Sequence, residues 1–290
     1  MSDIQKSNAK FGPAGNSDSF YQEGHSATVE MPKWISERGL DCFEYSFGRG
    51  VRMGAEGAKA IRAEAERYGI QLSVHMPYFI NLAVEDEEKK KKNLGYFVDS
   101  LKAAEALGAK RAVFHPGSAS GGNRGEILER ACGFFKEIIA ALDEMDLMHV
   151  TLCPETMGKI GQLGTLEEVL ALCGVDRRIT PCIDFGHLNA RTLGGIRSKA
   201  DYAAILDRIG EALGDARARQ FHVHFSRIEY SKGGEKRHWT FAETQFGPEP
   251  QPLMELLAER RLEPVIICES AGTQAEDAQA MKGMYEEAAK

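Results

Sequence analysis

Six side chains of metal-ligating type stand at the ends of six successive apolar runs. His75 ends Gln-Leu-Ser-Val, His115 ends Arg-Ala-Val-Phe, and Glu155 follows Val-Thr-Leu-Cys-Pro; Asp184 ends Thr-Pro-Cys-Ile, His224 ends Gln-Phe-His-Val, and Glu269 ends Val-Ile-Ile-Cys. Imidazole and carboxylate together make up the ligand set of zinc, manganese or iron. Three carboxylates in one cluster are hard to keep ionised without cations, so more than one metal is implied. Any one of the six, taken alone, is equally a helix cap or the partner of a local lysine. That reading does not account for the whole series. His187, in Asp184-Phe-Gly-His187, lies just past a strand end, and His238, in Lys236-Arg-His238-Trp239, lies in the long segment after the seventh run. Both are further ligand candidates. His25, His149 and His222 have no such placement, and His149 and His222 are expected to satisfy local hydrogen bonds.

Residues spread over almost the whole chain meet only if the fold brings the strand ends together. Eight short β-branched or apolar runs alternate with helical segments. The runs are Ile4 to Gly12, Cys42 to Tyr45, Leu72 to His75, Ala112 to His115, Val150 to Pro154, Thr180 to Asp184, Gln220 to His224 and Pro264 to Glu269. The helices fall at Pro32 to Arg38, Ala55 to Tyr68, Glu87 to Leu107, Glu126 to Met145, Leu166 to Leu172, Lys199 to Leu213, Pro252 to Arg260 and Ala275 to Ala288. Eight βα units predict an α/β fold, a single (β/α)8 TIM barrel over residues 1–290, with the metal site at the C-terminal rim of its strands. The alternative, an open doubly wound sheet, expects a glycine-rich phosphate turn that Gly12-Pro-Ala-Gly15 matches poorly.

The chain has 290 residues, a formal charge of −7, 43% hydrophobic and 27% charged residues, which is ordinary globular usage. No run is long enough to cross a bilayer. Met1-Ser-Asp-Ile-Gln-Lys6 lacks the basic and apolar regions of a secretory signal, so a cytoplasmic location is expected. Six cysteines without CxxC spacing read as buried thiols. In the run Glu85-Asp-Glu-Glu-Lys-Lys-Lys-Lys92 every acid precedes a lysine by four residues, so it reads as a self-neutralising helix start. Net acidity argues against nucleic-acid binding by bulk charge, although dications at the rim would make the mouth locally positive.

His75-Met-Pro-Tyr78-Phe-Ile-Asn81-Leu82, His115-Pro-Gly-Ser118, Pro154-Glu155-Thr156, Ile183-Asp184-Phe-Gly-His187, Val223-His224 and Cys268-Glu269-Ser270 resemble, in order and spacing from about residue 70 to 275, the motifs of the endonuclease IV family of apurinic/apyrimidinic endonucleases. The resemblance implies a xylose isomerase-like TIM barrel. It further implies a zinc-dependent hydrolase of the DNA-repair type, which cuts the phosphodiester 5′ to abasic sites in double-stranded DNA. By the same resemblance Glu155 bridges two metals, with His75 and His115 on the first and Asp184, His224 and Glu269 on the second, while His187 and His238 hold a third. Glu155 and Glu269 are then the catalytic carboxylates, and the cofactor is two or three Zn2+ ions, with Mn2+ or Fe as substitutes. Arg49 and Arg52, in the loop after the second strand, and Tyr78, matching a family tyrosine near the lesion, are the candidate DNA contacts. Arg227 and Lys232 meet either substrate phosphate or solvent.

Several departures stand out. Lys236 replaces the family's third-site Asp, so that site is weak, absent, or completed by Glu235, Glu229 or Glu243. Phe11-Gly-Pro-Ala-Gly-Asn16 lacks the family's usual histidine, and Gly39 to Met53 resembles it only loosely. The rival reading keeps the barrel and one or two metals but makes the chain a sugar isomerase or epimerase. A third is a non-catalytic protein with a relic metal site. The expected oligomeric state is a monomer, with no membrane association.

Overall fold

The computed structural model describes residues 9–290, and eight of its ten strands form a ring. These eight are β1 (Lys10–Pro13), β2 (Cys42–Ser46), β3 (Gln71–His75), β4 (Arg111–Phe114), β5 (Thr151–Pro154), β6 (Cys182–Asp184), β7 (His222–Phe225) and β10 (Val265–Cys268). All of their pairings are parallel, in two groups of four, β1-β10-β7-β6 and β2-β3-β4-β5. Parallel bridges Ala14–Glu44 and Glu155–Cys182 join the groups at both seams and close the barrel. The Ile4 end of the first run lies outside the described residues, and the strand extends to Pro13 instead of stopping at Gly12.

Helices α1 (Asp18–Gln22), α2 (Met31–Ser36), α3 (Ala55–Tyr68), α4 (Glu87–Leu107), α5 (Arg124–Glu144), α6 (Leu166–Cys173), α7 (Phe185–Arg191), α8 (Lys199–Leu213), α9 (Asp215–Arg219), α10 (Gln251–Glu259) and α11 (Gln274–Ala288) surround the ring. Local chemistry sets their ends. The Asp86 side chain accepts from Lys89 N at the start of α4, Asn123 accepts from Gly125 N and Glu126 N at the start of α5, and Thr165 and Glu168 form a reciprocal capping box on α6. In the acidic-basic run the pairing differs from the expected i,i+4 order. Lys90 pairs with Glu87 one turn away and Glu85 reaches across to Arg130, because Asp86 is taken up as the cap.

Strand parity sorts the side chains. Phe43, Val74, Phe114, Leu152, Ile183, Val223 and Ile266 join the main core against the helices, where Phe97, Phe114 and Phe135 stack between α4, β4 and α5. The alternate residues point into the barrel, where Cys42, Val265 and Ile267 form one small apolar layer and Val113, Cys153 and Cys182 another. All six cysteines are unpaired and five are buried. Among the described residues no helix is long and apolar enough to cross a membrane.

After β7 the chain forms an antiparallel hairpin, β8 (Arg227–Ser231) and β9 (Gly234–Trp239), where a loop was expected. The hairpin packs on the loop after β5: Glu235 N donates to the Gly158 carbonyl at 3.1 Å and Ile160 N to the Gly233 carbonyl at 3.1 Å. Contact this close needs glycine. A Cβ on Gly158 would lie 2.6 Å from Glu235 Cβ and 2.9 Å from His187 Cδ2.

Candidate metal centre

The closed ring brings the ligand candidates to one rim. Asp184 pairs with His224, His75 with Val113, and Glu155 bridges to Cys182. Each is the last inward-pointing position of its strand or the first residue beyond it. A cavity of about 510 Å³ opens here and is lined by His75, His115, Glu155, His187, Glu235, His238 and Glu269.

Glu155 is the hub. Its Oε2 lies 3.2 Å from His75 Nε2 and 3.1 Å from His115 Nε2, and its Oε1 lies 3.0 Å from His224 Nδ1 and 3.4 Å from His187 Nδ1. His224 Nδ1 is also 3.5 Å from Glu269 Oε1. Backbone carbonyls orient two of the rings: His75 Nδ1 donates to Met76 O and His187 Nδ1 to Thr156 O, both at 2.9 Å. The opposite nitrogen of each is left to face a carboxylate. Asp184 serves twice. Its Oδ1 caps α7 by accepting from His187 N at 2.7 Å, Thr156 Oγ1 grips its backbone at 2.8 Å, and its buried Oδ2 has no hydrogen-bond partner. Asp184 therefore caps the helix with one oxygen and turns the other toward the cluster.

Two donor groups have atoms within 4.8 Å of one another around this hub, His75 with Glu155 and His224, and Glu155 with Asp184, His224 and Glu269. A third group is His187, Glu235 and His238. Of the three carboxylates considered for that corner, the structure brings only Glu235 there, its Oε2 3.4 Å from His187 Nε2 and its Oε1 4.0 Å from His238 Nε2. Glu229 is occupied by Lys236 and Arg237, and Glu243 accepts from Thr240 N in a local turn. Lys236 thus points away to Glu229 instead of into the centre.

The electrostatics are those of a buried, charge-rich cluster. Burial pushes the Asp184 carboxyl up to about 6. Burial pulls the His75 imidazole down, yet the Glu155 and Glu44 carboxylates outweigh it and hold His75 at about 9. His187 is raised in the same way against its burial, chiefly by Asp184 and Glu155, whereas burial lowers His115. Protons on His75 and His187 balance a carboxylate-rich pocket, a role that divalent ions can fill in an N/O donor set of this kind. Four carboxylates and five imidazoles, with Asp184 Oδ2 3.2 Å from His187 Nδ1 but not hydrogen-bonded, fit two or three such ions.

The candidate DNA contacts separate. Tyr78 lines the cavity and is 47% exposed, and its hydroxyl accepts from Arg49 Nε at 3.0 Å. Arg52 lies with Arg49 on the neighbouring depression formed by the β2–α3 loop, away from the ligands. Arg227 is buried by the fold: it is 5% exposed and donates to Glu249 Oε2 and the Phe246 carbonyl. Two motif residues prove to be braces. Asn81 Oδ1 accepts from Ser118 N and Ala83 N, and Gly117 sits so close that a Cβ would lie 2.2 Å from Asn81 Oδ1.

Sequence reasoning missed Glu44, a 1% exposed carboxylate within 3.1 Å of His222 and His224. Parity along Cys42-Phe-Glu-Tyr places it inward, and that was the available signal.

Comparison with known proteins agrees with this architecture. An uncharacterized protein of Methanocaldococcus jannaschii is 33% identical over 260 residues, 90% of this chain and 91% of its own length. A probable endonuclease 4 of Acholeplasma laidlawii is 34% identical over 145 residues, so the chain spans about half the length of that relative, 47% of each. Among solved structures, endonuclease IV from Thermus thermophilus superposes with a TM-score of 0.68 at 20% identity, covering 96% of this chain and 99% of its own. A D-tagatose 3-epimerase-like protein superposes equally well, 0.68 at 20% identity over 97% and 98%. Residues 32–288 match the family model described as xylose isomerase-like TIM barrel. By its ring of eight parallel strands and by that match, the chain belongs to the xylose isomerase-like TIM barrel family.

Proposed function

We propose that this chain is a zinc-dependent phosphodiesterase that hydrolyses duplex DNA on the 5′ side of abasic sites. The observation that carries the reading is the third donor group. Glu235 stands with His187 and His238 where the family's Asp is missing, which supports a third ion beside those at Glu155. Relatives named probable endonuclease 4 support the same direction.

In this reading His75 and His115 with Glu155 hold one ion, Glu155 with Asp184, His224 and Glu269 a second, and His187 with Glu235 and His238 a third. When bound, such ions supply positive charge that activates water near neutral pH and neutralises a phosphodiester. The protein's own part is orientation. Met76 and Thr156 carbonyls fix the His75 and His187 rings, so donor nitrogens need not reorganise when substrate arrives. Glu155 and Glu269 set the negative charge of the floor, and no other side chain is required as a base. Tyr78, exposed at the wall and steadied by Arg49, offers a ring to stack in the gap left by a missing base. Arg49 and Arg52 beside it hold flanking phosphates.

A sugar isomerase or epimerase is the second reading, favoured by the cavity of about 510 Å³ and the net charge of −7. The discriminating experiment is incision of a duplex oligonucleotide carrying one abasic-site analogue by zinc-loaded protein, with Glu269→Ala as control. A cut immediately 5′ to the lesion, lost in the variant, supports the nuclease. Intact DNA with metal bound, together with turnover of a ketose or aldose, replaces it with the sugar enzyme.

A further inference from the structure

Beneath the cavity floor lies a polar group that the proposed reaction does not use. Glu44 on β2, Ser73 on β3 and His222 on β7 are each at most 1% exposed. Ser73 and His222 sit two residues before His75 and His224 on their strands, one inward position below the ligands. A carboxylate at this depth is retained only with partners that replace water. Glu44 has three. Its Oε2 accepts from Ser73 Oγ at 2.7 Å and lies 3.1 Å from His222 Nε2, and its Oε1 lies 2.9 Å from His224 Nε2.

The third partner links this layer to the cavity. His224 turns Nε2 down to Glu44 and Nδ1 up to Glu155 Oε1 at 3.0 Å and Glu269 Oε1 at 3.5 Å. A neutral imidazole has one lone-pair nitrogen, and a carboxylate facing the other nitrogen decides which one that is. We propose that Glu44, itself held by Ser73 and His222, is a positioning residue that fixes the ring and tautomer of His224 so that Nδ1 is the cation donor. The inference rests on the metal-centre reading above. It explains why a charge sits on the inner wall of β2, where Cys42 on the same inward face packs with Val265 and Ile267.

The test is zinc affinity, measured by chelator competition, in the parent and in Glu44→Gln, together with the absorption spectrum of the cobalt(II)-substituted proteins. Glutamine keeps the shape and removes the charge. The expected result is about 10- to 100-fold weaker binding at one ion and an altered cobalt spectrum, with the metal-free unfolding midpoint changed less than the zinc-loaded one. Ser73→Ala, which removes one tether and leaves the carboxylate, is expected to move both readouts in the same direction by less. It carries the test if Glu44→Gln does not fold. Unchanged affinity and spectrum in the folded variants overturn the assignment while leaving the metal centre in place. A parent that binds neither zinc nor cobalt overturns both.

Discussion

Replacing Glu155 by glutamine isolates the charge that organises the cluster. In the metal-free protein this carboxylate is 1% exposed and lies within 3.0 to 3.4 Å of nitrogens on His75, His115, His187 and His224. His75 registers the effect most plainly. Burial opposes its charged form, and Glu155, by hydrogen bond and by charge, reverses that and holds the ring at about 9 instead of the ordinary 6.5. That difference corresponds to about 3 kcal/mol favouring imidazolium in the folded state. Because the folded value is raised, this stabilisation is complete below pH 6.5 and is lost as the pH climbs through 9. In Glu155→Gln only the charge of Glu44 still opposes burial, so His75 should titrate well below 9 and the corresponding loss of stability between pH 6.5 and 9 should shrink. Proton NMR of the imidazole C–H signals in the metal-free parent and variant reads the first effect, and denaturant unfolding at about pH 6 and about pH 9 reads the second. A His75 that still titrates near 9 in the variant would refute the reasoning, since the raised value would then have another origin.

Other expectations follow from the same geometry. Glu235→Gln should lower the zinc content by one ion per chain, and Gly158→Ala should do the same by pushing Glu235 and His187 apart, which elemental analysis after dialysis would show. Lys236→Ala should leave zinc content unchanged and stability within about 0.5 kcal/mol, because Lys236 pairs with Glu229 on the exposed side of the hairpin. Zinc binding should tighten from about pH 6 to about pH 8, since His75, at about 9, must give up its proton to become a ligand; calorimetry in two buffers of different ionisation enthalpy should detect proton release at about pH 7.

Much of the architecture was legible because strand ends carry their own markers. His75, His115, Asp184, His224 and Glu269 each follow a short apolar run, and an eight-stranded ring must bring such positions to one rim. Helices α3, α4 and α8 begin and end where their periodicity and flanking glycines or polar residues indicate. What escaped depends on contacts made across the chain. The hairpin from Arg227 to Trp239 is charged and only partly buried, and pairing with the Gly158 loop gives it a fixed place. Without that docking, Glu235 could not be preferred over Glu229 or Glu243. Helix α7 was hidden for a different reason, since Asp184 both ends β6 and caps the helix within one residue. Glu44 sits in a short strand whose neighbours Phe43 and Tyr45 draw the eye to the outer face, and its partners are distant in sequence. Arg227 illustrates the converse, a cation in a candidate substrate loop that folding commits to Glu249.

The most direct test of a three-ion centre is a crystal structure of the zinc-loaded protein with anomalous diffraction collected on either side of the zinc absorption edge. A three-ion centre gives three peaks: one between His75, His115 and Glu155, one among Glu155, Asp184, His224 and Glu269, and one among His187, Glu235 and His238. A single peak at the Asp184, His224 and Glu269 group, with Glu235 turned away from His187, would contradict it.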